Sequence, residues 1–258
     1  MDAIVMAGGI PSVDDPLYPY THGLPKSMLD ICSKPMIQWV LDALNGSRQV
    51  DRVVITGLDP DSRLAYGSAL TFIPNQGGML DNIRAGAEKI LEINPDSNHI
   101  LLCSSDVPTV KTEAIDWVIT SAMQTDEDIY YNVITRQVME ARFPSSRRSY
   151  VRLKDVEVCG GDVNIARTRK VVGDRGIWDR LIAARKNALK QAALLGYDTL
   201  ILLLLRLITL EGAIQKVTRR LNITGRALVC PFAEVGMDVD KPHQLEIVRA
   251  DMSRRPSA

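Results

Sequence analysis

Two adjacent glycines, Gly8 and Gly9, follow a short apolar run near the start of the chain. The turn Ala7-Gly8-Gly9 leaves backbone N–H groups that no large side chain covers, and such a concavity can bind phosphate oxygens. A long loop then ends at Lys26, a cation that could neutralise the same phosphates. The glycines fit neither the G-x-G-x-x-G nor the G-x-x-x-x-G-K-[ST] pattern, so a plain tight turn is an equal alternative.

Carboxylates end two further segments that could reach this turn. An apolar, strand-like run delivers Asp106, and Pro108 stops the run directly afterwards. Asp238 and Asp240 lie two residues apart before Pro242, which predicts the start of a helix. Each carboxylate alone could serve only as a helix cap or loop acceptor. Together, Asp106 and Asp240 could hold one Mg²⁺ with its waters and substrate phosphates.

The elements that must position these residues alternate between apolar runs and helix-period stretches. This alternation predicts an α/β fold in which helices cover a mostly parallel sheet. The predicted strands cover residues 3–7, 52–58, 70–73, 99–105, 128–134 and 226–230. The predicted helices cover residues 35–44, 79–93, 112–123 and 177–196.

One part of the chain departs from this alternation. Residues 140–172 are basic and irregular in pattern, and residues 177–220 are rich in helix-period sequence. We therefore interpret residues 1–258 as a single domain that contains an insertion or helical subdomain at residues 140–225. We expect this insertion to lie beside the glycine turn and the two carboxylates, on the side where a second substrate would bind.

Composition argues against several classes of protein. The chain has 31 basic and 31 acidic side chains, whereas general nucleic-acid and membrane-surface binders usually have a basic excess. The apolar stretch at 200–210 carries Arg206 and falls short of the ~20 residues that a membrane helix needs. The N-terminus has no basic segment before its short apolar run, which argues against a signal peptide. We expect a cytoplasmic protein without nucleic-acid or membrane partners.

The four cysteines are widely spaced along the chain. Cys103 and Cys230 lie in apolar, strand-like runs, where a reduced thiol behaves as a small hydrophobic side chain. This placement favours core packing over a disulfide or zinc framework.

Five segments together resemble a known family. "AIVMAGG", "GLPKSMLDICSKPMIQWVLDAL", "NQGGMLDNIRAG", "SSDVP" and "MDVDKPHQLE" occur in the order seen in nucleotidyltransferases of the molybdenum-cofactor guanylyltransferase-like and sugar-1-phosphate nucleotidyltransferase group. The resemblance covers residues 1–125 and 226–250. It implies a Rossmann-like, GT-A-like three-layer fold and dependence on Mg²⁺. It also implies transfer of a nucleotidyl group from a nucleoside triphosphate to a phosphorylated acceptor, with release of pyrophosphate.

The resemblance implies roles for individual residues. Gly8 and Gly9 match the glycines whose backbone contacts the nucleotide, and Lys26 matches the lysine that neutralises its phosphates. Asp106 and Asp240 match the metal-binding positions. The residues that match the base-recognition segment are Gln76, Gly77 and Gly78.

The loop after the glycines departs from the family pattern, which usually has an arginine there. In this chain His22 is the only side chain between the glycines and Lys26 that could be basic, so another cation could orient the triphosphate. An acceptor phosphate is already anionic at neutral pH, because its second pKa is ~6, and the reaction needs no strong general base. We therefore expect no catalytic role for His22, His99 or His243, which we place in loops or at the surface, and assign the chemistry to Lys26 and Asp106.

The acceptor site is less clearly indicated. Gly160, Gly161, Asp162 and Asn164 could line an acceptor pocket, although a simple hairpin or turn explains them equally well. A sugar phosphate, a polyol phosphate, a phosphorylated acid or a pterin cofactor would all suit the same metal, and the base is equally open.

Two other functions fit parts of the pattern. A metal-dependent glycosyltransferase of related architecture would also place a carboxylate after such a strand, but it would be expected to have Asp-x-Asp where this chain has Ser104-Ser105-Asp106. A non-catalytic nucleotide-binding protein would lack a polar acceptor site.

The helix-rich block also suggests an association surface. The predicted helix 177–196 has an apolar stripe at helical spacing, and the following segment "LILLLLRLITLEGAIQKV" is strongly apolar. Such a stripe is usually packed core. The alternative is an exposed patch that meets its copy, because large apolar surfaces are rare on soluble monomers. A homodimer through residues 177–220 is therefore one hypothesis.

Overall fold

The computed structural model describes residues 1–173, Thr199, Leu202 and residues 205–254. The strands in these residues are β1 (Asp2–Met6), β2 (Asp30–Ile31), β3 (Lys34–Pro35), β4 (Val53–Thr56), β5 (Leu70–Ile73), β6 (His99–Ser104), β7 (Ile129–Thr135), β8 (Val151–Arg152), β9 (Glu157–Gly160), β10 (Val163–Arg167) and β11 (Gly225–Val229). The helices are α1 (Tyr18–Thr21), α2 (Met36–Gly46), α3 (Met79–Ile93), α4 (Thr112–Ala122), α5 (Arg136–Arg142), α6 (Thr168–Gly173), α7 (Leu210–Leu221) and α8 (Pro242–Met252).

Nine of these strands form a central sheet. Its order is β5–β4–β1–β6–β10–β7–β9–β8, and β11 pairs in parallel with β7. β1 pairs in parallel with both β4 and β6, so the chain moves outward on one side of β1 and then returns to the other. Open α/β sheets bind ligands at such a reversal, beyond the carboxyl ends of the strands. Gly8 follows β1 and Asp106 follows β6, so both lie at this position.

Alternate side chains of the strands enter two cores on opposite faces of the sheet. In β1, Ala3 and Val5 belong to the larger core and Ile4 to the smaller one, as the two-residue period of a strand requires. Residues of α2, α4 and α8 pack in the larger core, and residues of α3 and α6 pack in the smaller one. Full burial of an aliphatic side chain such as Ile4 contributes roughly 1.5–3 kcal/mol. The sheet is thus the middle layer of three.

Two antiparallel strands interrupt the parallel order. β10 lies between β6 and β7 and is antiparallel to both, and β9 pairs with a later part of β7. Tyr130 pairs with Ile165 of β10, and Val133 pairs with Gly160 of β9. An advance of three residues along β7 therefore corresponds to five residues along the segment from β9 to β10. The two extra residues form a bulge between Gly160 and Ile165. Bulges of this kind redirect side chains, and this one contains Asp162.

The predicted α/β arrangement is confirmed. Each of the six predicted strands, and the predicted helices at 35–44, 79–93 and 112–123, coincides with an observed element to within two residues at either end. The helix predicted at 177–196 lies outside the described residues. The interpretation of residues 140–172 as irregular is wrong at β9 and β10, because these two short strands pair with strands that are distant in sequence. The division into a domain and an insertion at 140–225 stays a prediction.

The remaining sequence expectations concern single residues and the membrane. Cys103 and Cys230 are completely buried, as expected for core thiols. His99 is also buried, in β6, and its Nε2 lies 2.8 Å from the Glu127 carbonyl oxygen, so its expected placement in a loop or at the surface is wrong. Among the described residues, no helix combines the length and apolarity needed to cross a bilayer.

Candidate functional site

A cavity of about 680 Å³ opens beyond the carboxyl ends of β1 and β6. Its walls come from the glycine turn, the end of the following loop, the segment that leads into α3, the end of β6, the bulge and the segment before α8. The sequence-predicted residues that line it are Gly8, Gly9, Lys26, Gly77, Gly78, Asp106, Gly161, Asp162, Asn164 and Asp240.

Three of these residues converge on one point. Lys26 Nζ donates to Asp106 Oδ2 at 2.5 Å and to Asp240 Oδ1 at 2.7 Å, although the two carboxylates belong to distant segments. Burial lowers the pKa of Lys26, but the charges of Asp106 and Asp240 outweigh this effect and raise the pKa above its ordinary value. Lys26 is therefore protonated between two carboxylates. Within the described residues it is also the only lysine or arginine that lines the cavity.

Backbone and side-chain hydrogen bonds hold the two carboxylates in place. Ser104 Oγ donates to Asp106 Oδ1 at 2.5 Å. The backbone N–H of Val239 donates to the carbonyl oxygen of Asp106 at 3.0 Å, which fastens the segment before α8 to the end of β6. The backbone N–H of Asp240 donates to Gln244 Oε1 at 2.9 Å. The distance between the two carboxylates is thus fixed mainly by the chain and not only by Lys26.

The long loop is closed at its base. The backbone N–H of Lys26 donates to the Gly9 carbonyl oxygen at 2.8 Å, and Ser27 Oγ donates to the Ala7 carbonyl oxygen at 3.3 Å. The loop therefore returns to the glycine turn, and this return delivers Lys26 to the cavity. Ala7 itself is buried and is absent from the described cavity lining.

A third glycine, which no sequence pattern indicated, shapes the glycine turn. Gly57 has a φ of +97°, and a Cβ atom there would lie 2.2 Å from Gly8 Cα. A Cβ atom on Gly8 would lie 2.8 Å from Asn82 Nδ2, whereas one on Gly9 would meet nothing within 4 Å. Gly57 is therefore required by its backbone conformation and by packing against the Gly8 backbone, whereas a Cβ atom at Gly8 would have to displace the Asn82 side-chain amide. Gly9 instead leaves open space at the cavity, which suits close approach by a ligand.

Alanine substitutions should separate these two requirements. We expect Gly57→Ala to lower the free energy of unfolding by about 1–3 kcal/mol, because the new side chain is strained at positive φ and collides with Gly8. We expect Gly9→Ala to leave stability unchanged but to weaken triphosphate binding. Urea denaturation and equilibrium titration with nucleotide measure the two effects. A Gly9→Ala protein that binds nucleotide normally would argue against phosphate contact at this turn.

Two asparagines connect the glycine turn with the segment before α3. Asn75 Nδ2 donates to the Gly8 carbonyl oxygen at 3.0 Å, and Asn75 Oδ1 accepts from the backbone N–H of Gly77 at 3.0 Å. Asn82 Oδ1 accepts from the backbone N–H of Gln76 at 2.8 Å. Both asparagines line the cavity. The sequence signal was available, because Asn75 and Asn82 both lie in the segment "NQGGMLDNIRAG" that carries the family resemblance.

The predicted base-recognition residues are placed differently from one another. Gly77 and Gly78 line the cavity. The Gln76 side chain folds back, and its Nε2 donates to the Pro74 carbonyl oxygen at 2.7 Å. Among the described residues that line the cavity, Gln76 does not appear. Base recognition by Gln76 therefore stays a prediction that requires this side chain to turn.

The bulge places a third carboxylate at the cavity. Asp162 Oδ2 is buried and has no hydrogen-bond partner among the described residues. Burial and then the charge of Asp106 raise the pKa of Asp162 to about 7. Asn164 has a structural part, because its Oδ1 accepts from the Asn132 backbone N–H at 2.8 Å and its Nδ2 donates to the Gly161 carbonyl oxygen at 2.9 Å. The cavity thus has an unsatisfied acid beside the Lys26 cluster.

This acid predicts a measurable pH dependence of stability. Because the pKa of Asp162 is raised from 3.8 to about 7 on folding, the folded protein retains a proton that the unfolded chain releases. The retained proton therefore stabilises the folded state relative to the unfolded chain. This contribution is complete below pH 3.8 and is lost as the pH rises towards 7. We expect the stability of Asp162→Asn relative to the original protein to increase over this interval and then to level off. Thermal unfolding of both proteins from about pH 4.5 to about pH 8.5 measures this, and parallel curves would contradict it.

The charges at the cavity suit a further cation. Asp106, Asp162 and Asp240 line it together with one lysine, and the orphaned oxygen of Asp162 is an acceptor without a donor. The described residues contain no group of three or more histidine, cysteine, aspartate or glutamate side chains arranged to hold a metal by themselves. Mg²⁺ commonly binds through one or two carboxylates and takes its other ligands from water and substrate phosphates. Asp106 and Asp240 fit that pattern.

The three histidines lie away from this cluster. His22 ends α1 in a left-handed backbone conformation, and His243 Nε2 lies 3.1 Å from the Ser146 carbonyl oxygen. His99 is in β6, as described above. None of them lines the described part of the cavity.

Comparisons with solved structures identify this arrangement of strands. A hypothetical transferase from Thermus thermophilus superposes with a TM-score of 0.81 at 30% identity and covers 95% of this chain and 98% of its own. CMP:2-keto-3-deoxy-manno-octonic acid synthetase complexed with CTP gives a TM-score of 0.60 at 18% identity, with 98% of both chains covered. A 2-C-methyl-D-erythritol 4-phosphate cytidylyltransferase, also from Thermus thermophilus, gives 0.55 at 12% identity, with 97% of this chain and 98% of its own covered. The fold is therefore the Rossmann-like nucleotidyltransferase fold.

Sequence comparison gives the family. No curated protein matches the chain significantly. The MobA-like NTP transferase domain matches residues 3–202, which include the glycine turn, Lys26, Asp106 and the bulge. The expected resemblance to nucleotidyltransferases is confirmed, and this chain belongs to the MobA-like NTP transferase family.

Proposed function

We propose that the cavity transfers a nucleotidyl group from a nucleoside triphosphate to a phosphorylated small-molecule acceptor and releases pyrophosphate. The observation that carries this proposal is the convergence of Lys26, Asp106 and Asp240 beside the Gly8–Gly9 turn, with Nζ–Oδ distances of 2.5 and 2.7 Å. A lysine, two carboxylates and exposed backbone donors are the groups needed to bind and align a triphosphate.

The chemical step requires alignment more than acid–base catalysis. An oxygen of the acceptor phosphate forms a bond to the α-phosphorus, while the bond from that phosphorus to the oxygen bridging to the β-phosphate breaks. Pyrophosphate leaves with the electron pair. No group must remove a proton, because a phosphate with a second pKa of ~6 is already anionic. The protein must instead reduce repulsion between two polyanions and hold them in line.

Each part of the cavity has a role in this step. The Gly8–Gly9 turn would bind phosphate oxygens through backbone donors, and Lys26 would turn from the carboxylates towards the triphosphate. Asp106 and Asp240 would hold Mg²⁺, which when bound would neutralise phosphate charge and orient the triphosphate. The bulge with Gly161, Asp162 and Asn164 faces the remaining side of the cavity, where the acceptor would bind.

The similar structures support this class of substrates. One of them is complexed with CTP, and another is named as a cytidylyltransferase for a 4-phosphate acceptor. CTP is therefore the first donor to test. The cytoplasmic location and the absence of a nucleic-acid partner stay predictions.

The homodimer also stays a prediction, because the helix predicted at 177–196 lies outside the described residues. Two observations within residues 205–221 support an apolar contact surface. Leu205 and Leu207 are more than half exposed, and α7 has no buried residue.

A screen for pyrophosphate release tests the proposed function. The four nucleoside triphosphates are each combined with a panel of phosphorylated sugars, polyols and acids in the presence of Mg²⁺. We expect release with one donor–acceptor combination and none when the acceptor or the metal is omitted. Release that is independent of the acceptor would indicate hydrolysis and contradict the proposal, as would its absence throughout the panel in a protein that binds the triphosphate.

A further inference from the structure

A second cavity, of about 430 Å³, lies among residues of α5 and of the segment that leads into β8. We call it the arginine cavity, because four of its lining side chains are arginines and only one is acidic. The charged and aromatic residues that line it are Arg136, Glu140, Arg147, Arg148, Tyr150 and Arg152. A pocket with this composition attracts anions, since guanidinium groups match the geometry of carboxylates and phosphates.

Three of the four arginines already have carboxylate partners. Arg136 pairs with Glu140 and Glu157, Arg152 pairs with Glu157, and Arg148 pairs with Asp238. These pairs fix the arginines in position at the wall of the cavity. They also leave one guanidinium without a counter-charge.

That guanidinium belongs to Arg147. It is exposed, and it has no ion pair or hydrogen bond with any residue in the described part of the chain. Its φ of +51° is in the left-handed region, which is unfavourable for an arginine. The chain therefore holds an unpaired cation at the cavity in a conformation that local preferences do not explain.

Two buried polar atoms at the same cavity are also unsatisfied. Arg148 Nε and the Tyr150 hydroxyl group have no hydrogen-bond partner among the described residues. Buried donors without acceptors are uncommon in proteins and cost free energy. Both residues line the arginine cavity, and an anion held there is the kind of acceptor that these donors lack. These atoms are independent of the Arg147 charge, yet they point to the same kind of occupant.

Arg148 connects the arginine cavity with the first cavity. Its guanidinium donates to the Gly160 carbonyl oxygen at 3.5 Å, directly before the bulge. Burial raises the pKa of both Tyr131 and Asp162, and the positive charge of Arg148 opposes that rise in each case. Tyr131 and Asp162 both line the first cavity. An anion bound beside Arg148 would therefore weaken the effect of its positive charge on Tyr131 and Asp162.

We propose that the arginine cavity is a second binding site, which takes the phosphate or carboxylate group of a small molecule and uses Arg147 as its main charged donor. The site is separate from Lys26 and the glycine turn. It does not depend on which nucleotidyl transfer the first cavity performs.

Isothermal titration calorimetry with inorganic phosphate and, separately, with acetate tests this site at constant ionic strength. We expect saturable binding of at least one of the two anions, and the stronger one identifies the ligand class. Arg147→Ala should weaken binding by about tenfold to a hundredfold, as expected for loss of a charged hydrogen-bond donor. Arg63→Ala is the matched control, because Arg63 is also exposed and has a φ of +50°. The control should bind as the original protein does.

A Lys26→Ala protein separates the two cavities in the same titration. We expect it to retain the Arg147-dependent binding. The proposal is overturned if neither anion saturates, if Arg63→Ala weakens binding as much as Arg147→Ala does, or if binding is lost in Lys26→Ala and kept in Arg147→Ala. None of these results bears on pyrophosphate release, so the proposed transfer reaction is judged independently.

Discussion

Replacing Asp106 with asparagine should lower the rate of pyrophosphate release by about 10²–10³-fold or more while leaving the fold intact. The substitution keeps the shape of the side chain, and the amide oxygen can still accept from Ser104. It removes the negative charge that faces Lys26 Nζ at 2.5 Å and that we assign to the cation. Steady-state release of pyrophosphate measures the rate, and circular dichroism with thermal unfolding verifies the fold.

Two further variants test whether the loss of activity in Asp106→Asn comes from the carboxylate cluster. Asp240→Ala removes the second carboxylate of the cluster and should reduce turnover to a similar extent. Asp59→Asn makes the same chemical change at an exposed aspartate outside the cavity, and we expect normal turnover. Near-normal activity in both Asp106→Asn and Asp240→Ala would show that the proposed metal ligands are wrong.

The sequence predicted the part of the site that depends on strand ends. Gly8 and Asp106 each end an apolar run, and parallel neighbouring strands bring their carboxyl ends to one edge. Their proximity therefore follows from the α/β pattern. Asp240 was indicated by its spacing to Asp238 before Pro242 and by the family resemblance. Its distance from Asp106 depends on a contact between segments, the hydrogen bond from the Val239 backbone N–H to the Asp106 carbonyl oxygen, which the sequence does not reveal.

The sequence did not predict features that depend on distant pairing. β9 and β10 are short, and they become strands only because β6 and β7 supply backbone partners. The bulge that places Asp162 at the cavity arises from a mismatch in register between two pairings, and no local preference encodes it. The requirement for glycine at position 57 likewise arises from a contact between segments, because the Gly8 backbone occupies the space that a Cβ atom at position 57 would need. Periodicity predicts elements, whereas contacts between elements complete the site.

Replacing Lys26 with alanine should lower kcat by about 10²–10³-fold and change the KM for the triphosphate much less. The reason is that negative charge around the α-phosphate increases during transfer, so the lysine stabilises the transition state more than the bound substrate. Lys89→Ala is a suitable control, because Lys89 lies on the outer part of α3 in an ion pair with Glu92. A Lys26→Ala protein with unchanged kcat and a raised KM would show that Lys26 contributes only to binding.

The same Lys26→Ala variant should lose activity but gain affinity for a divalent cation in the absence of nucleotide. In the nucleotide-free protein the Lys26 ammonium group lies between Asp106 and Asp240, where it competes with any metal for the same oxygens. Removing it leaves Asp106 and Asp240 without their shared counter-charge, so Lys26→Ala should bind Mn²⁺ more tightly than the original protein does when no nucleotide is present. Electron paramagnetic resonance of free Mn²⁺ measures this affinity without turnover. Weaker or equal Mn²⁺ binding would mean that the carboxylates bind the lysine and not a metal. Tighter Mn²⁺ binding together with a lower kcat would mean that the Lys26 ammonium group leaves the carboxylates when the substrate complex forms, and that a metal ion binds them instead.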